Sequence, residues 1–360
     1  MKEQDLDRLM EQERPDGEDR AAEEKFQKKV RKTIKRTMYS HIFISLLVVI
    51  LAGTAVFFGL SAAVSAIFYD PGKETGLLED DMEGSEFTLL LEETIAMYYP
   101  GMRCMVLGDG AVSTGFSGYD VDVLMESAFD RLMLGGPPTN TFHIGFSKLD
   151  TDMAPFYTYV DEFIKPEDQN GEEAVFSPEG VREDVEALPE SAQLDVSISF
   201  DTYLTSDQVA QLMKQYPDVF FQWVALKGHS PRYFPQVAGG MNLHTYSGFR
   251  FAPAFQERYE GYYLPLDQQE ITGEDLERSL IARLRLLADN PDFVRMMESK
   301  FKDHISIDMV EERLALAEQE WSCYGLRMEV GRQELLDMMD ELPITRVMVN
   351  DVKLSRLQRS

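Results

Sequence analysis

The sequence predicts a single-span membrane protein with an α+β extracytoplasmic domain, in which two strand-helix-strand units pack their helices on a mixed sheet. Three observations carry this prediction. Residues 42 to 68 form a run of 27 positions without Asp, Glu, Lys, Arg or His. Basic residues are concentrated just before that run, in a chain whose 63 acidic residues against 35 basic ones leave a net charge of -28. The order strand, helix, strand occurs twice in the C-terminal half.

The length of the uncharged run decides the class. A helix of about 20 apolar residues crosses ~30 Å of hydrocarbon, and Ile42 to Phe68 exceeds that. A buried core helix is usually shorter and keeps a polar stripe. The basic cluster then sets the orientation. Lys25 is followed by Lys28, Lys29, Arg31, Lys32, Lys35 and Arg36, and no acidic residue occurs until Asp70. Basic residues within about 15 to 20 positions of a span stay on the cytoplasmic side. The expectation is a single-pass cell-membrane protein with its N-terminus in the cytoplasm and its C-terminus outside. The alternative is a cleaved signal peptide, since Val64-Ser65-Ala66 has the small-residue pattern of a cleavage site. Against it stand the length of the apolar run and the 39 residues read as preceding it.

On this reading the chain divides into a cytoplasmic tail, 1–39; a transmembrane helix, 40–68; an acidic linker, 69–86; a first extracytoplasmic region, 87–165; a second linker, 166–192; and a C-terminal domain, 193–354. In the tail, Leu6, Leu9 and Met10 stand at helical spacing before Pro15-Asp16-Gly17 breaks the pattern, and Phe26, Val30, Ile34 and Met38 form an i, i+4 stripe. Neither face has a domain of its own to cover it. The second stripe therefore suits either the membrane surface or the groove of a cytoplasmic partner. A tail this short acts only by binding. In the span, Ala55, Gly59 and Ala63 recur at every fourth residue, a spacing that lets a second transmembrane helix approach closely, in a helix already rich in Ala.

Outside, TLLLEETIAMYYPG reads as a helix and MRCMVLG as a strand. VDVLMESAFDRLM reads as a helix, and TFHIGFSKL and FYTYVDEFI as extended segments. After the Pro-, Gly- and acid-rich second linker, LDVSISF alternates so that Val196, Ile198 and Phe200 face away from Ser197 and Ser199. TSDQVAQLMKQY follows as a helix capped by Thr205 or Ser206, then VFFQWVAL as a fully buried strand. YGLRMEV, GRQELLDMMDEL and ITRVMVNDV repeat that order. Such units form an α+β sandwich of the split type, helices on one face of the sheet. Two helical stretches between Thr272 and Trp321 are interrupted at Asn290-Pro291 and His304-Ile305.

The composition excludes some chemistry. So acidic a chain repels phosphate, so direct nucleic-acid binding is not expected. Cys104 and Cys323 would close one disulfide or remain two buried thiols, the second being the commoner outcome where two cysteines make no framework. No HExxH, GxSxG or Cys/His metal pattern is present, and GDGAVSTG lacks the Lys-Ser/Thr of a phosphate loop and reads as a turn. No catalytic residue, metal or cofactor is expected. The loop from Lys227 to Phe249 is the candidate sensing surface, because it gathers His229, Arg232, Tyr233, Phe234, His244 and Phe249 among glycines and prolines. The plainer reading is a long connection packed by its own aromatics.

The order of these segments resembles a known family. KKVRKTIKRTMYSHIFISLLVVI, LDVSISFDTYLTSDQVAQLM with Trp223-Val224-Ala225 beyond it, and CYGLRMEVGRQELLDMMDELPITRVMVNDV are similar to membrane-anchored sigma-factor regulators of Gram-positive bacteria, of the anti-sigma-M type. The resemblance implies an anti-sigma factor whose tail holds an extracytoplasmic-function sigma factor at the membrane until the exterior domain registers envelope stress. Leu6, Leu9, Met10, Phe26 and Val30 would then form the sigma-binding face. The tail has no zinc-binding His/Cys pattern, so inhibition would be metal-free. The alternative is a membrane-tethered binding or accessory domain without a transcriptional role.

Overall fold

The computed structural model describes residues 17–65, 67–73, 76–78, 86–100, 102–107, 110–127, 139–152, 162–169, 174–228, 239–243, 251–302 and 304–354. The chain forms two compact units, residues 1–63 and 64–360.

The first unit is built on one long helix, α1 (Gly17–Ser65), of 49 residues. Its Lys35–Leu60 stretch of 26 residues is long and apolar enough to cross a membrane, and none of the window is buried. The apolar side chains of Ile42, Phe43, Leu47, Val49 and Phe58 are all exposed. A helix apolar all round and exposed among the described residues is suited to apolar surroundings.

In the second unit, a first sheet runs β1-β3-β4-β5, with β2 also paired to β3. Its strands are β1 (Met102–Val106), β2 (Val112–Gly115), β3 (Gly118–Ser127), β4 (Thr139–Gly145) and β5 (Lys148–Asp150). Two expectations are corrected here. VDVLMESAFDRLM is strand through Ser127 rather than helix, because Tyr119, Val121, Val123 and Met125 are buried at period two while β1 and β4 pair with β3 on either side. Part of GDGAVSTG, read as a turn, is strand β2, which pairs with β3 in a hairpin.

The second sheet runs β10-β6-β9-β7-β8. Its first unit is β6 (Ala192–Leu204), α4 (Ser206–Gln215) and β7 (Phe220–Leu226), and its second is β9 (Cys323–Gly331), α9 (Arg332–Glu341) and β10 (Ile344–Leu354). Each unit is split, since β9 lies between β6 and β7 and β6 lies between β9 and β10. This interleaving is the ferredoxin-like arrangement, extended at one edge by β8 (Gly239–Asn242). It also corrects the expectation of a mixed sheet. The strands joined by each crossover are parallel but never adjacent, so the neighbouring described strands are all antiparallel.

Thr205 is the cap of α4, in a reciprocal capping box with Gln208. Leu194, Val196, Ile198 and Phe200 enter the main core with Val209, Met213, Leu335 and Met338 of α4 and α9. The opposite face carries Asp195, Ser197 and Ser199, yet it too is buried. Residues 162–169 cover it: Ile164 N–H donates to Ser199 Oγ (3.0 Å), Gln169 Nε2 to the Phe200 carbonyl (2.8 Å), and the Phe163 ring lies 5.4 Å from Trp223.

The remaining helices join the sheets. They are α2 (Glu86–Tyr98), α3 (Pro178–Glu186), α5 (Pro253–Arg258), α6 (Gly273–Ala288), α7 (Pro291–Phe301) and α8 (Ile307–Ala317). The region expected as two helical stretches thus holds three helices, broken at the expected places. α2 is buried nearly all round and touches β1, β8 and α6. Regions 87–165 and 193–354 accordingly share one continuous core. Where the stretch read as an acidic linker is described, it is packed: Pro71 and Leu77 are buried, and the Leu77 carbonyl accepts from Ala252 N–H (3.1 Å). The second linker region contains α3, capped by Ser177. Cys104 and Cys323 are free and buried, and burial pushes the Cys323 thiol up to about 12.

Candidate functional site

A small cleft opens where β7 ends, at the root of the loop singled out in the sequence. β7 supplies Leu226 and leads into Lys227 and Gly228, β8 returns the chain at Gly240, and α2, α6 and α8 supply Met97, Leu280, Leu284 and Leu316. These side chains make the floor apolar. The polar groups are few and sit at the ends of elements. Arg313 of α8 lies over the Tyr98 ring, 4.9 Å from its centre. Lys227 Nζ is 3.3 Å from Glu320 Oε1 and 5.0 Å from the centre of the Tyr203 ring. Trp321 also lines the cleft, and among the described residues its buried Nε1–H has no hydrogen-bond acceptor.

The close approach at Gly240 fixes one wall. A Cβ there would fall 1.8 Å from the Trp223 ring, so only glycine lets β8 lie against β7 at this register. Trp223 is in turn held by its Nε1–H donating to the Ala96 carbonyl at 2.8 Å. β7, β8 and the end of α2 are locked together by one indole.

Two buried ionic clusters stand behind this wall. On the sheet, Arg327 donates to Asp195 through Nε (3.0 Å) and Nη2 (2.5 Å), and through Nη1 to the Pro100 carbonyl (2.7 Å) and Glu162 (3.3 Å). Burial raises the Glu162 carboxyl above its usual range, an effect opposed by the Arg327 charge. Between α2 and α6, Tyr262 OH donates to Glu93 Oε1, Arg283 Nη1 lies 3.7 Å from Glu93 Oε2, and Arg283 Nε donates to Ser279 Oγ at 3.1 Å. Arg283 is 1% exposed. Paired charges of this kind fix register between elements more than they add stability.

Arrangement and chemistry agree on what the cleft can do. An unsatisfied buried donor such as the Trp321 indole costs about 1–3 kcal/mol, and a ligand acceptor would relieve that cost. An apolar floor with the Trp321 donor and the Arg313 cation in its lining, Lys227 being paired with Glu320, suits a ligand with an apolar body and a carbonyl or carboxylate group. Among the described residues, no group of three His, Cys, Asp or Glu side chains could hold a metal ion.

The residues expected from the sequence fall elsewhere or beyond description. His229, Arg232, Tyr233, Phe234, His244 and Phe249 lie outside the described residues, as do Leu6, Leu9 and Met10. Phe26 and Val30 are on α1, their side chains outside the description. Lys28, Lys29, Arg31, Lys32, Lys35 and Arg36 are exposed on α1, and Ala55, Gly59 and Ala63 follow one another on it at successive turns, all exposed. The sequence reading missed Arg313 and Trp321, which no local pattern marks. It also missed Arg283 and Arg327, whose signal was arginine inside the largely apolar strings SLIARLRLL and YGLRMEV. No family profile, curated protein or solved structure matches this chain.

Proposed function

We propose that this protein is a single-span membrane regulator of the anti-sigma type. Its cytoplasmic tail holds an extracytoplasmic-function sigma factor, and its exterior α+β domain reads an envelope signal. The observation that carries the proposal is the continuity of α1. The basic segment and the apolar stretch are one helix of 49 residues, about 74 Å long at 1.5 Å per residue. A shift at its outer end would reach the tail without passing through a flexible joint. The exposed basic residues support an N-terminus on the cytoplasmic side. The cleft beside Trp321 supports a ligand-reading role for the exterior domain, with an apolar acceptor-bearing ligand as its class.

The test uses the full chain purified with its partner from membranes. Removing a well-buried anchor from an interface commonly costs more than ~2 kcal/mol, over tenfold in affinity. Leu9→Asp and Phe26→Asp should therefore each release a co-purifying sigma factor while leaving membrane insertion intact. Retention of the sigma factor by both variants contradicts the assignment of the binding face. If no sigma factor co-purifies with the unmodified chain, a tethered exterior binding domain without a transcriptional role is the reading that stands.

A further inference from the structure

The first sheet ends in a repeated turn. Gly115-Phe116-Ser117-Gly118 joins β2 to β3, and Gly145-Phe146-Ser147-Lys148 joins β4 to β5. In both, the two central residues have positive φ: 47° and 59° in the first turn, 51° and 57° in the second. That is the hairpin geometry for which Asn-Gly or Gly-Gly is the ordinary choice. An aromatic residue is disfavoured there, since its Cβ crowds the backbone. The same unfavourable dipeptide nevertheless occupies both turns.

The turns are neighbours. Gly118 pairs with Gly145 across β3 and β4, and Phe146 N–H donates to the Ser117 carbonyl at 3.4 Å. Both rings remain accessible, Phe116 at 39% and Phe146 at 53% exposed. The chain immediately after α1 packs on this tip: the Phe68 ring meets Phe146 edge-on at 5.3 Å, and Tyr69 N–H donates to Ser147 Oγ at 2.7 Å. Tyr69 is itself packed on Phe87 and Phe293. Ile67 is 77% exposed. The apolar tip therefore contains the last residues of the uncharged run, ahead of the first charge at Asp70. Phe68 follows Ser65, the end of α1, by only three residues, about 10 Å of extended chain.

We propose that the paired Phe-Ser turns, with Ile67 and Phe68, dock into the outer interfacial layer of the bilayer and hold the exterior domain against the membrane. Apolar side chains at that depth gain by leaving water whatever the lipid charge, and an acidic domain could not rely on anionic head groups for attachment. A contact with the bilayer would account for keeping an accessible phenylalanine twice where the backbone disfavours it. The proposal rests on the reading that α1 spans the membrane.

The experiment reconstitutes the full chain in phosphatidylcholine nanodiscs and replaces single residues by tryptophan. Phe146→Trp is read against lipid brominated near the head group, Leu51→Trp against lipid brominated near the chain ends, each relative to the unmodified protein. Docking predicts a blue-shifted, quenched signal from Phe146→Trp. If Leu51→Trp is quenched and Phe146→Trp is neither quenched nor shifted, the docking proposal is overturned; if Leu51→Trp is not quenched, the spanning reading fails and the proposal falls with it. A second readout guards against misfolding. In detergent, Phe116→Asn with Phe146→Asn should leave the thermal midpoint unchanged or higher, because Asn tolerates positive φ. A lower midpoint would mean that the rings serve the domain's own packing, which also overturns the proposal.

Discussion

At the scale of single residues, the buried charges make the sharpest demands. Arg327 neutralises Asp195 and faces Glu162, so removing it strands a carboxylate in the interior. Arg327→Met should cost about 3–5 kcal/mol in urea unfolding of the detergent-solubilised protein. Glu162 is different because burial raises its carboxyl. The folded state holds that proton more tightly than the unfolded chain, so the ionised carboxylate opposes folding above its folded-state value, and the opposition disappears below the ordinary value near ~4.5. Glu162→Gln should therefore gain on the unmodified protein as pH rises from about 4.5 to 7.5. The opposite trend in unfolding midpoints would show that the bonds to Ser197 and Arg327 dominate. None of this pairing was legible locally. Arg327 meets Asp195 only because β6 and β9 are neighbours, which is a fact of topology.

At the scale of elements, what the sequence revealed followed local rules and what it concealed followed neighbours. Thr205 or Ser206 announces the start of α4, and Thr205 is the cap; VFFQWVAL is too apolar for an edge strand and forms the interior strand β7. VDVLMESAFDRLM fits helical spacing as well as alternation, and only the strands on either side of it decide for β3. The alternation in β6 separates Val196, Ile198 and Phe200 from Ser197 and Ser199, but it does not announce that residues 162–169 return to cover the polar face. β8 is a short edge strand whose sequence, GGMN, has no strand signal of its own. Its register depends on Gly240 against Trp223. Gly240→Ala should cost roughly 1–3 kcal/mol through overpacking and distort the cleft wall. A thermal midpoint equal to that of the unmodified protein would show that β8 adjusts freely.

At the scale of the whole molecule, composition and charge placement were the most legible features. The uncharged run is helical from Ile42 to Ser65, and the two C-terminal units fold as the split arrangement their order implied. The candidate sensing loop was legible as an unusual stretch, and its first residue, Lys227, lines the cleft. The partners of Lys227, Tyr203 on β6 and Glu320 just after α8, are linked to it by no spacing rule. Orientation follows from the basic cluster in our proposal. Neutralising Lys28, Lys29, Arg31, Lys32, Lys35 and Arg36 together should give mixed orientation, read by a C-terminal reporter active only outside the cell. An unchanged reporter signal would remove charge as the determinant.

The central claim, that the tail restrains transcription from across one membrane span, is tested most directly by sigma-dependent promoter activity in cells that express the chain with and without residues 1–24. The account predicts that deleting those residues raises transcription of one sigma regulon at unchanged protein level and membrane insertion. Identical transcription of every sigma regulon in the two strains would contradict it.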